Sequence, residues 1–76
     1  MYVKVYYRHN GHWEPTMVLE MTKRGLARQK REYSNRLHLV ITGAEAHQWV
    51  RKGGTHGTYL YIDQDNRIRR ARDARY

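Results

Sequence analysis

The residue pattern predicts an α+β fold, a small antiparallel sheet with a capped helix packed on it, and three observations carry that expectation. Residues 2–21 and 57–70 each alternate apolar and polar side chains around a cluster of turn formers. A β-branched run at 36–42 lies between them. Directly after that run, Thr42-Gly-Ala-Glu45 has the spacing of a capping box. With 76 residues in the chain there is room for a single core, so one domain is expected over 1–70, followed by a mobile basic tail at 71–76 that lacks an apolar anchor before Tyr76.

The first hairpin places Val3, Val5 and Tyr7 before a His9-Asn10-Gly11 turn, and Trp13, Met17, Leu19 and Met21 after it. A two-residue Asn-Gly loop would set Tyr7 against Glu14 and Val3 against Val18, mixing apolar and charged partners on one face. A three-residue loop with Gly11 left-handed sets Tyr7 against Trp13, Val5 against Pro15 and Val3 against Met17, and is the register expected on those grounds. Pro15 has no N–H to give, which predicts that the second strand is an edge there or is broken by a bulge.

Residues 22–35 admit two readings. As a helix over 23–33, they place Leu26 and Tyr33 on one side and Arg24, Arg28 and Arg31 on the other. As a hairpin, Lys23-Arg24-Gly25 would be its loop. The strong helix formers from Leu26 to Glu32 favour the helix despite Gly25.

Arg36–Thr42 reads as the middle strand of the sheet. The helix opened by Thr42 and Glu45 presents Ala46, Trp49 and Val50 on one face, sends Glu45, Gln48 and Lys52 outward, and stops at Gly53-Gly54. In the last hairpin, Asp63-Gln-Asp-Asn66 forms the turn; with Asn66 left-handed, Ile62 pairs with Ile68. Its other face then gathers Tyr59, Tyr61, Arg67 and Arg69. The expected sheet thus has about five strands, two hairpins and the strand between them.

Charge is the strongest functional signal. Fifteen Lys and Arg against seven Asp and Glu give a net charge of +8. The excess sits in two stretches: Lys23, Arg24, Arg28, Lys30, Arg31 and Arg36 against Glu32 alone, and five arginines from Arg67 to Arg75 against Asp73 alone. Arginines outnumber lysines, and the planar guanidinium matches phosphate or carboxylate and stacks on flat rings. Seven tyrosines and two tryptophans stand beside no phenylalanine, so many rings are expected at the core margin or the surface.

These features point to a small protein that binds nucleic acid. Its phosphate contacts are expected from Lys23, Arg24, Arg28, Lys30, Arg31, Arg67, Arg69, Arg70 and Arg72, with Tyr59 and Tyr61 as stacking groups. DNA and RNA are equally compatible with them. The rival reading is a modulator that docks its basic face on an acidic protein surface, such as that of a nucleic-acid enzyme.

Other functional classes find less support. The chain has no cysteine, which removes disulfides, thiolate metal sites and a thiol nucleophile. His9 and His12 flank a turn with only Glu14 nearby, so no cofactor or metal is expected. His38, His47 and His56 could supply acid and base for RNA cleavage, but their settings in a strand, a helix and a glycine-rich loop are ordinary, and the expectation is a binding protein rather than an enzyme. Gly53-Gly-Thr-His-Gly57 follows a helix instead of leading into one, so it lacks the context of a phosphate loop. Without a signal-like leader or a membrane-length apolar run, the sequence suggests a cytoplasmic location with no membrane partner.

Overall fold

A computed structural model describes residues 1–53 and 60–70. The fold is α+β, with β1 (Tyr2–His9), β2 (His12–Glu20), α1 (Lys23–Glu32), β3 (Leu37–Ile41), α2 (Gly43–Arg51), β4 (Leu60–Ile62) and β5 (Ile68–Arg70) in chain order. The strands form two antiparallel sheets instead of the one expected: β2-β1-β3, and a separate β4-β5 pair.

The first hairpin corrects the expected register. Tyr7 pairs with Glu14, Arg8 with Trp13 and His9 with His12, closing a two-residue loop in which Asn10 (φ 50°) and Gly11 (φ 79°) are both left-handed. Two successive positive φ values are what a type I′ turn needs, and its twist suits the flanking strands. The apolar mismatch that argued against this loop is removed by a bulge. Pairing steps from Tyr6–Pro15 to Val5–Met17, leaving Thr16 as the extra residue, and its hydroxyl donates to the Val5 carbonyl at 3.2 Å. Beyond the bulge Val5 faces Met17 and Val3 faces Leu19, so the turn and the core face are both satisfied.

β3 is an edge strand, and β1 holds the middle that β3 was expected to occupy. Pro15 and the bulge leave β2 a poor template on its outer side, whereas the other side of β1 pairs without interruption. β3 therefore adds to β1, from Tyr2–Ile41 to Tyr6–Leu37. Burial follows: Val3 and Val5 in β1 are fully buried, while Leu39 and Val40 in β3 are 43% and 58% exposed.

Cross-strand partners share a face, so the register sorts the side chains into two layers. One face carries Val3, Val5, Leu19, Met17 and His38; the other carries Tyr2, Lys4, Val18 and Ile41. α2 and the β4-β5 hairpin cover the second face, where Val18, Ala46, Val50 and Leu60 form a buried cluster edged by Trp49, Ile62 and Ile68. α1 lies over the first face: a groove there is lined by Leu19 of β2 together with Gly25 and Gln29 of the helix.

Both helices start on a threonine. The Thr42 hydroxyl accepts from the Glu45 amide at 3.1 Å, as the capping spacing foretold, whereas the Glu45 carboxylate accepts from that hydroxyl at 3.2 Å rather than capping a backbone amide in return. Thr22 caps α1 in the same way, accepting from the Gly25 amide at 3.1 Å, so Lys23-Arg24-Gly25 is the first helical turn and not a hairpin loop. α2 ends at Arg51, and Gly53, just past its Lys52 cap, is left-handed at φ 84°. The last hairpin matches expectation: Ile62 pairs with Ile68, and Asn66 sits at φ 61°.

Candidate nucleic-acid interface

α1 is an outward-looking helix. None of its residues is fully buried, and Lys23, Arg24, Arg28, Lys30 and Arg31 are all exposed. Lys30 and Arg31 in the last turn complement the negative end of the helix dipole. Lys23 and Arg24 sit in the first turn, where cations oppose the dipole and where no acidic residue offsets them. Arg28 forms an i,i+4 ion pair with Glu32 at 2.9 Å, but its side chain is 73% exposed, so the pair is weak and leaves the guanidinium accessible.

The chain leaving α1 meets the sheet in an arginine–aromatic cluster that sequence reading did not assemble. The Arg36 guanidinium lies 4.3 Å from the Tyr7 ring centroid and 4.1 Å from that of Tyr33. Two rings thus hold one cation at the C-terminal end of α1. Around the hairpin end, Arg8 lies over the exposed Trp13 at 5.6 Å. This pair exists because the Asn-Gly register sets Arg8 opposite Trp13. The signal was present in the Asn10-Gly11 dipeptide, but reading it required accepting a bulge as well.

His38 is buried beneath this cluster at 7% exposure, and its Nε2 has no hydrogen-bond partner. Burial, and then the charges of Lys30 and Arg36, push its pKa below the ordinary imidazole value, against a ring-to-backbone hydrogen bond at Arg36 that favours the charged form.

The second basic stretch lies elsewhere. Arg67, Arg69 and Arg70 belong to the β4-β5 hairpin, on the opposite side of the three-stranded sheet from α1. Arg69 is cross-strand from Tyr61, as expected, but its Nε donates to Asp63 at 2.8 Å. That bond and the one from the Arg67 amide hold the Asp63 carboxyl below the usual carboxylate range. Asp63 also accepts from the Asp65 amide, so it organises the turn with Arg69 as its counterion. Tyr59 and Arg72, and the tail at 71–76, lie outside the described residues. The structure therefore joins the α1 cations to Arg36, Tyr7 and Tyr33, and separates them from Arg67, Arg69 and Arg70.

Among the described residues no three His, Cys, Asp or Glu side chains gather as a metal site. His9 and His12 are cross-strand partners beside the turn, and His47 contacts Asn66 at 3.1 Å. No described helix is long and apolar enough to cross a membrane. Comparison of the chain with protein-family models, curated proteins and solved structures finds no match.

Proposed function

We propose that the protein binds nucleic acid, without catalysing a reaction, by laying the exposed face of α1 along the phosphate backbone. The observation that carries this reading is the helix surface itself: five exposed cations against one carboxylate, two of them set where the helix dipole disfavours them. Arg36, sandwiched between Tyr7 and Tyr33, extends the strip at its C-terminal end. The 10-residue helix spans about 15 Å, enough to follow two or three phosphates along one strand.

Arg67, Arg69 and Arg70 make a secondary contribution in this reading, since they face another side and Arg69 is engaged by Asp63. Tyr61 is half-buried, so the stacking role moves toward the exposed ring of Tyr33 at the end of α1.

Titration of labelled single- and double-stranded oligonucleotides, beside an unrelated protein of equal net charge, tests the reading. It requires binding clearly tighter than that of the control. Dissociation constants equal to the control's refute it and favour docking on an acidic protein.

A further inference from the structure

The two edges of the three-stranded sheet are unlike. β2 is guarded by Pro15 and by the bulge at Thr16, devices that stop another strand from pairing. β3, Leu-His-Leu-Val-Ile, has no proline, no bulge and no charged side chain. Among the described residues nothing pairs with its outer side. Leu39 and Val40, which point to opposite faces, are 43% and 58% exposed. Five residues give an edge of about 17 Å whose outward backbone donors and acceptors are paired by no described strand, sufficient for one added strand.

We propose that this edge accepts an extended, acidic segment of a partner protein as a fourth strand. Charge selects the occupant. On one face the edge is bordered by Lys4, cross-strand from Leu39, and by Lys52, which lines a groove with Ile41 and Trp49. On the other face it is bordered by Lys30, whose charge reaches His38, and by Arg36 immediately before the strand. Glu45, in the Lys52 groove, is the carboxylate among these groups, and it accepts the Thr42 hydroxyl. A strand with acidic side chains beside β3 meets cations on both faces, and its apolar residues cover Leu39 and Val40. A second copy of this chain would instead bring another +8 to the same place, with no charge on β3 to offset the repulsion. The site shares Lys30 and Arg36 with the α1 strip, so an acidic segment on β3 would compete with nucleic acid for those two cations while leaving Lys23, Arg24, Arg28 and Arg31 to the strip.

The probe is a ten-residue peptide alternating valine and glutamate, compared with a version of equal charge carrying proline at every second valine. Binding by fluorescence anisotropy is combined with residue-resolved amide exchange. The alternating peptide is expected to bind at least about tenfold more tightly than the proline version, because only it can complete a ladder. The outward amides of Leu37–Ile41 should gain protection, and V40E should lose about tenfold in peptide affinity while keeping the fold. Three results overturn the proposal: equal binding of both peptides, no binding by either, or binding without protection in β3. Protection of β3 that rises with protein concentration alone also overturns it, by making the occupant a second copy.

Discussion

The two helices sit on opposite faces of one sheet and are built for different purposes. α2 puts Ala46 and Val50 into the buried cluster with Val18 and Leu60, its charged residues stay outside, and Glu45 favours its N-terminus. α1 buries no residue fully, has a glycine in its first turn, and carries cations at both ends. In a domain this small, one helix contributes fully buried residues of its own, whereas the other lies over the fully buried Val3 and Val5 with half-buried side chains and turns its cations outward. Separating stability from charge in this way makes the two layers experimentally distinguishable.

The largest difference should appear in truncations. Leu60→Ala, in the α2 layer, is expected to cost about 2–5 kcal/mol in denaturant unfolding, while Leu26→Ala in the half-buried face of α1 should cost about 1 kcal/mol or less. Equal losses would erase the contrast. Cap removal should follow the same order at smaller scale: Thr42→Ala by about 0.5–2 kcal/mol, and Thr22→Ala toward the lower end, since the α1 cap holds a helix with less tertiary packing behind it.

pH sharpens the account of the layer under α1. His38 has its folded pKa lowered by burial and by Lys30 and Arg36, so the unfolded chain, whose histidines protonate near about pH 6.5, binds the proton more readily. Stability should therefore be present above that value and decline as pH falls through it toward the folded pKa. Midpoints at pH 7.5 and 5.5 should differ more for the native chain than for His38→Leu, which also removes the unpartnered Nε2. Identical pH dependence in the two would show that His38 is not the sensor. The smallest effect is a gain: Gly25 needs no positive φ, and an added Cβ would meet Met21 and Thr22 at 3.4 Å, ordinary contact, so Gly25→Ala should stabilise by about 0.4–1 kcal/mol.

Much of the fold was legible where a local signal stood alone. The Thr42 cap on the Glu45 amide, the face of Ala46 and Val50, and the Ile62–Ile68 pairing each rest on chemistry within a few residues, and each appears as expected. The register of the first hairpin was misread because two local signals, Asn10-Gly11 and the apolar alternation, conflict unless Thr16 is allowed to bulge. β3 was misplaced because a short apolar run suits a central or an edge strand equally, and the deciding fact is what Pro15 does to β2. Of the site, the α1 cations were visible as composition, but the Arg36–Tyr7–Tyr33 stack depends on β3 docking beside β1. That is long-range information no window of the sequence contains. The separation of the two basic stretches was hidden for the same reason.

The most direct test of α1 as the phosphate-binding layer is the salt dependence of oligonucleotide affinity in two charge-matched variants, one with Arg24, Arg28 and Arg31 replaced by alanine and one with Arg67, Arg69 and Arg70 replaced. Each phosphate contact contributes about 0.9 to the slope of log affinity against log salt on duplex DNA. The account predicts that the α1 variant loses about two to three units of slope and the β5-side variant about one or less. Equal losses, or a larger loss from the Arg67, Arg69 and Arg70 variant, would contradict it.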